Sequence, residues 1–187
     1  VLEANDLPRA AIQLVEVLDR EAVSVLLQQR RYIDVVIPRG GAGLIQRVVR
    51  DSMIPVIETG SGVCHTYVDA EANIDMAVDI AVNAKVQRPS VCNSMETLLV
   101  HKSIAHEFLL ALEQRLAPHH VMIHGTPEVL QIVKGVAVDE NSFSTEYNDF
   151  DLNIAIVSSV DEAISHINRY TTHHSEAIVT DNINTAQ

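Results

Sequence analysis

The chain is poor in cysteine, in basic residues and in long apolar runs, and each shortage removes a class of answer. Two cysteines, Cys64 and Cys92, in 187 residues do not make a disulfide-stapled secreted domain. With no secretion signal in the sequence they read as free thiols of a reduced, intracellular chain, and the cytoplasm is the expected compartment. Lys and Arg number 13 against 25 Asp and Glu, a formal net charge of -12. A protein that tracks a phosphate backbone concentrates cations to displace counterions, so nucleic acid is not an expected partner. A small anion held where a few cations converge remains open. No stretch approaches the roughly 20 continuous apolar residues that span a bilayer, so no membrane association is expected. The opening Val1-Leu2-Glu3 lacks an initiator methionine, a basic stretch and a signal core, and Asn182 to Gln187 reads as the start of a helix. We therefore expect a piece of a longer protein, truncated at both ends. Repeats and low-complexity tracts are also missing. What is left, 47% hydrophobic and 20% charged, is ordinary globular composition with material for one substantial core or two small ones.

Short apolar runs alternate with helical patterns along the whole chain. Ile12–Val17, Ile33–Ile37 and Pro55–Ile57 read as strands, with helices over Arg20–Gln29 and Gly43–Asp51 between them. After the glycines at Gly60 and Gly62 the pattern restarts. Thr66–Val68, Thr97–His101, Leu152–Val157 and Ala177–Thr180 are the expected strands, and Ile74–Lys85, His106–Leu116 and Val160–Arg169 the helices. Continuous runs such as Ile33-Asp34-Val35-Val36-Ile37 suit strands covered on both faces, so the expected fold is α/β, parallel-rich sheets with flanking helices in two portions. The boundary falls near Glu58 to Gly62.

The chemistry gathers where the helix ending at Lys85 hands over to the strand beginning near Thr97. Cys92 lies in that junction with Lys85 and Arg88 upstream. Loops between rigid elements are reachable by substrate, and nearby cations raise a thiol's thiolate fraction. From these residues alone two fates stay open, a reactive thiol or a buried core cysteine, and the second is the commoner. The turn Arg39-Gly40-Gly41 follows a strand and precedes a helix, a geometry that admits phosphate to a helix N-terminus but that ordinary βα turns share. Histidines occur as adjacent pairs, His119-His120 and His173-His174, not at the i, i+4 spacing of a helical metal site, and no metal is expected.

The run Gln87-Arg88-Pro89-Ser90-Val91-Cys92-Asn93, continued by Glu96-Thr97-Leu98-Leu99-Val100-His101, resembles the active-site segment of the gamma-glutamyl phosphate reductases, a branch of the aldehyde dehydrogenase superfamily. Three further blocks match in family order. They are Ile33 to Gly41; Pro55 to Gly60 followed by Cys64-His65 and Tyr67-Val68-Asp69; and Asp161 to Ile164 with His166 to Tyr170 and His174 to Ile178. Thr171-Thr172 departs from the pattern, where the family has glycine or serine first. The family enzyme is about twice this length.

The resemblance implies an aldehyde-dehydrogenase-like fold. Residues 1–58 would be the later part of a dinucleotide-binding domain and residues 59–187 most of the catalytic domain, with the site in the crevice between them. It implies NADPH-dependent reduction of gamma-glutamyl phosphate to glutamate 5-semialdehyde, the second step of proline biosynthesis, with Cys92 as nucleophile. Arg88, Lys85 and Asn93 are then assigned to the substrate, Arg88 and Lys85 also being open to ion-pair or solvated roles. Arg39, Gly40, Gly41 and Glu146 are assigned to the cofactor. Glu58 aligns with the general base of aldehyde-oxidising relatives, and a structural hydrogen-bonding role for it is equally open. A homo-oligomer is compatible with all of this. Two alternatives remain: a thiol aldehyde dehydrogenase acting on another substrate, and a truncated, non-catalytic module.

Overall fold

A computed structural model of the chain describes residues 2–58, 60, 62–139 and 141–187. Thr59 and Ser61, inside the expected boundary region, lie outside the described residues. The chain divides into two compact units, Val1–Thr59 and Gly60–Gln187.

In the first unit, helices α1 (Glu21–Leu26) and α2 (Ala42–Asp51) follow two short 3-10 turns. The expected strands at Ile33–Ile37 and Pro55–Ile57 are present only as a parallel bridge between Val36 and Val56. The Val36 amide donates to the Pro55 carbonyl and the Ile57 amide to the Val36 carbonyl, both at 2.9 Å. The run Ile12–Val17 is exposed and forms no strand among the described residues. Helix α2 shows why the glycines precede it. Gly40 has φ 154° and a Cβ there would sit 2.7 Å from Leu44 Cδ2, while Gly41 caps the helix in an extended conformation. Ile45 and Val48, three residues apart on one face of α2, are buried.

The second unit is a six-stranded sheet of β1 (Cys64–Val68), β2 (Met95–His101), β3 (Met122–Gly125), β4 (Val136–Ala137), β5 (Asp151–Val157) and β6 (Glu176–Val179) in the order β4-β3-β5-β2-β1-β6. Every pairing is parallel. Helices α3 (Ile74–Val86), α4 (Ala105–Leu116), α5 (Pro127–Leu130), α6 (Val160–Tyr170) and α7 (Ile183–Ala186) make the crossovers and the end. Strand β2 shows how the pleat sorts its residues. Leu98 and Val100 join the core formed with Ala77, Val78 and Phe108 of α3 and α4. Leu99, facing the other way, joins Tyr67 and Ala163, the last from α6. Both faces are covered, so β2 carries the consecutive apolar residues Leu98, Leu99 and Val100. Local signals set the helix ends: the Asn73 side chain accepts from the Met76 amide at the start of α3, and Ser159 accepts from the Glu162 amide at the start of α6. Among the described residues no helix is long and apolar enough to cross a membrane.

Candidate active site

The expected strands of the second unit are all present, and the residues of interest collect at their amino ends. Cys92 precedes β2, Gly62 precedes β1, Glu146 precedes β5, and Glu176 opens β6. Open α/β sheets more often bind ligands outside the carboxyl ends, where crossover loops spread apart. Here the connections entering the strands form the cluster.

Cys92 occupies the turn between α3 and β2 and is exposed, whereas Cys64 is buried; both thiols are free. The buried-cysteine fate therefore belongs to Cys64. Its Sγ is 3.4 Å from the Cys92 carbonyl oxygen. Burial first, and the Glu176 carboxylate second, push the Cys64 thiol up to about 12, so it remains protonated at neutral pH. The Cys92 turn is tight: the Val91 amide donates to the Arg88 carbonyl, the Ser94 amide to the Val91 carbonyl, and Ser94 Oγ to the Ala84 carbonyl at 3.4 Å. Arg88 and Asn93 are exposed on the same turn as Cys92.

Lys85 is elsewhere, and its assignment to substrate is corrected. It is fully buried, with Nζ 2.9 Å from Glu96 Oε2, and Glu96 is equally enclosed. The ammonium is used in a structural ion pair and does not face solvent. Burial raises the Glu96 carboxyl above its usual range and the Lys85 charge works against that rise. The sequence carried a signal for this pair. An acid embedded in the run Met95 to Val100, on a strand buried on both sides, needs a partner cation.

Glu146 is half-buried, not a solvated carboxylate. Its Oε1 accepts the Gly62 amide at 2.7 Å. Gly62 packs against the Cys92 backbone so closely that a Cβ there would stand 1.6 Å from the Cys92 carbonyl oxygen. The structure thus brings Cys92, Arg88, Asn93 and Glu146 into one neighbourhood, with Gly62, Cys64 and Glu96 as members that sequence reasoning missed. Arg39, Gly40, Gly41 and Glu58 belong to the first unit, where Arg39 and Glu58 are exposed.

A second brace runs from the amino end of β6. The Val63 amide donates to Thr172 Oγ1 at 3.0 Å and the His65 amide to Glu176 Oε2 at 2.7 Å. Burial disfavours the ionised Glu176, but His65 and Thr171 hold its carboxyl below the usual range. His65 stands edge-on to His166 with ring centroids 5.6 Å apart, and Phe143 and Tyr170 pack on His166. Burial, with His65 and Arg169 adding to it, lowers His166 to about 4. No group of three or more metal-ligating side chains is found among the described residues.

Comparison with known proteins supplies the relations. Residues 1–144 match the model of the aldehyde dehydrogenase family. A gamma-glutamyl phosphate reductase of Moorella thermoacetica is 54% identical over 181 residues, 96% of this chain and 43% of that protein. The crystal structure of the gamma-glutamyl phosphate reductase from Thermotoga maritima superposes with a TM-score of 0.93 at 42% identity, covering 99% of this chain and 45% of that one. An acetylating aldehyde dehydrogenase of Geobacillus thermoglucosidasius, 18% identical and with a TM-score of 0.75 over 98% of this chain and 49% of its own, shares the fold. The chain spans less than half the length of each of these relatives.

Proposed function

The chain belongs to the aldehyde dehydrogenase family, and on that footing we propose that it is the part of a gamma-glutamyl phosphate reductase that carries the nucleophile. The reaction is NADPH-dependent reduction of gamma-glutamyl phosphate to glutamate 5-semialdehyde and phosphate in proline biosynthesis, in a reducing cytoplasm. The observation that supports this best is the exposed Cys92 on a braced turn, within a chain 42% and 54% identical to proteins of that name.

Cys92 Sγ attacks the acyl carbon as a thiolate. The bond from that carbon to the phosphate oxygen breaks, phosphate leaves with the electron pair, and a thioester to Cys92 remains. The nicotinamide cofactor, when bound, supplies hydride to the thioester carbon. The resulting thiohemiacetal releases aldehyde and returns the thiolate. Thiolate chemistry suits both halves, because sulfur is nucleophilic near neutral pH and its ester accepts hydride more readily than an oxygen ester.

The remaining residues orient these steps. The Cys92 amide is assigned as donor to the developing oxyanion, a kind of contact worth about 2.7–4 kcal/mol in the transition state. Arg88 and Asn93, exposed beside Cys92, are assigned to the substrate's phosphate or carboxylate. Arg39, Gly40 and Gly41 are assigned to the cofactor's phosphates: Gly41 has open space where a side chain would be, at the N-terminus of the ten-residue α2. Glu146 is assigned to the nicotinamide ribose, and its Oε1 also holds the Gly62 amide. Glu58 has no required part in the reductive direction, where water does not attack the thioester.

The test is cofactor oxidation with gamma-glutamyl phosphate in the longer protein that contains this chain. In reverse, oxidation of the semialdehyde must depend on inorganic phosphate, since phosphate resolves the thioester. Phosphate-independent turnover would instead indicate a thiol aldehyde dehydrogenase for another substrate.

A further inference from the structure

The turn that carries Cys92 has a base, and the base is charged. Lys85 lies in the last turn of α3, Glu96 near the start of β2, and the exposed turn with Cys92 runs between them. Their side chains meet beneath it at 2.9 Å, both out of solvent. A pair of apolar side chains could close the same loop without the cost of burying two charges, so an ion pair here calls for a second duty. That duty is visible at the other carboxylate oxygen. Glu96 Oε1 accepts the backbone amide of Asn148 at 3.3 Å. Asn148 has φ 57°, a left-handed turn residue that gives the segment after Glu146 a sharp bend. The Tyr147 backbone works with that of Asn148 to favour the ionised Glu96 carboxyl against its burial. The Tyr147 hydroxyl is held in turn by Asn153 Oδ1 at 3.1 Å, and Asn153 is wholly buried.

We propose that Glu96 is the positioning residue of the active site, with Lys85 the cation that compensates its buried charge: Glu96 holds the 146–148 segment by the Asn148 amide, and that segment places Glu146 on Gly62 and Gly62 against the Cys92 carbonyl. The contacts run without a break. Lys85 Nζ meets Glu96 Oε2, Glu96 Oε1 takes the Asn148 amide, Glu146 Oε1 takes the Gly62 amide at 2.7 Å, and Gly62 leaves no room for a Cβ beside the Cys92 oxygen. A carboxylate or an amide at position 96 has an oxygen for the Asn148 amide; an aliphatic side chain has none. The inference rests on the functional reading only in calling this place an active site; the contacts are independent of it.

Two doubly substituted chains separate positioning from charge. Lys85→Met with Glu96→Gln removes both charges and keeps an acceptor for Asn148, whereas Lys85→Met with Glu96→Leu removes both charges and the acceptor. Peptide-resolved amide exchange at Gly62 and Asn148 is the readout, with the amides of β2 as the folding control. In the Met/Gln chain both amides keep their protection to within about threefold. In the Met/Leu chain both exchange at least about tenfold faster while β2 stays protected. Parent-like exchange at Gly62 and Asn148 in Met/Leu overturns the proposal. Glu96→Asp serves if Met/Leu does not fold: it keeps the charge but shortens the reach by one methylene, so a carboxylate held by the buried Lys85 forfeits the longer bond, the one to the Asn148 amide. Faster exchange at Asn148 supports the proposal, and unchanged exchange at both amides overturns it.

Turnover in the longer protein completes the test. Met/Leu should have a kcat at least about tenfold below Met/Gln, with KM for the acyl phosphate within about threefold. Equal kcat in the two variants overturns the positioning role. A parent protein without acyl-phosphate turnover would overturn the functional reading and leave the exchange result standing.

Discussion

Gly62 and Cys92 meet through their backbones. A Cβ on Gly62 would stand 1.6 Å from the Cys92 carbonyl oxygen, and the Gly62 amide is bonded to Glu146. A methyl group cannot be absorbed there by a side-chain rotation, because the obstacle is main chain. Gly62→Ala must move the Cys92 turn or break the Glu146 bond. We expect a destabilisation of about 1–3 kcal/mol in denaturant titration and a fall in acyl-phosphate turnover larger than stability alone explains. Unchanged turnover would mean that the turn tolerates displacement.

The two thiols should separate cleanly by reactivity. Cys92 is exposed, while Cys64 is 3% exposed and pushed up to about 12. Iodoacetamide at pH near 8 should add one label to the folded chain, on Cys92, by intact mass and peptide mapping. Cys92→Ser should take none under the same conditions, and in the longer protein it should fold but lose acyl-phosphate reduction, because an oxygen ester accepts hydride poorly. A second label on the folded parent would show that Cys64 is reachable.

Breaking the Lys85–Glu96 pair one partner at a time should cost more than removing it whole. Lys85→Met alone leaves a carboxylate enclosed without its cation, at a cost of about 3–5 kcal/mol. Adding Glu96→Gln removes the stranded charge and should recover most of that loss in denaturant unfolding. Additive losses in the double variant would refute the coupling.

The half-buried His166 sets a pH dependence. His166 is lowered to about 4 from an ordinary 6.5 by burial, then by His65 and Arg169, with Glu162 opposing. A group neutral in the folded state and protonated in the unfolded state makes the unfolded chain bind more protons between those values. Stability contributed by neutral His166 is therefore full above about 6.5 and is lost as pH falls towards 4. Between pH 7 and 5 the loss should be on the order of 1–2 kcal/mol, and His166→Gln should flatten that slope. Glu176 and Asp69, whose carboxyls are held low, lose their contribution only at more acid pH, which keeps the windows apart. Equal slopes in parent and variant would remove His166 as the cause.

Much of the second unit was legible because its inner strands β1, β2 and β5 are buried and helices α3 and α6 carry side-chain caps. Leu98 to Val100 could be little else than an inner strand, and Asn73 and Ser159 mark their helix starts. Strands β3 and β4 escaped because four and two residues carry no periodicity. The run Ile12–Val17 shows the converse limit, since an apolar pattern becomes a strand only where a neighbour takes its hydrogen bonds. In the site, Cys92 was singled out by its motif and is exposed, whereas Lys85 is buried against Glu96. Its sequence distance to Cys92 suggested a cation beside a thiol, while the partner that decides its direction, Glu96, lies on the next element. Gly62 was visible only as punctuation, because the Cys92 carbonyl it touches is far along the chain.

Arg88 is the exposed cation on the Cys92 turn, and two roles for it differ in what lysine can replace. If the guanidinium holds the leaving phosphate or the substrate carboxylate, it does so with a planar pair of donors, which an ammonium does not reproduce. Arg88→Lys should then raise KM for the acyl phosphate by about tenfold, roughly 1.4 kcal/mol of lost binding, while Cys92 alkylation keeps its pH profile. If the charge alone favours the Cys92 thiolate, Arg88→Lys should behave as the parent and Arg88→Ala should move the alkylation profile to higher pH. Exposure favours the first role, because solvent weakens a charge effect between surface groups more than it weakens a two-point contact with a bound ligand. We therefore expect the lysine variant to fail in substrate saturation and to pass in alkylation. Parent-like behaviour of Arg88→Ala in both assays would remove Arg88 from the site and leave Asn93 as the polar neighbour of Cys92 to be tested next.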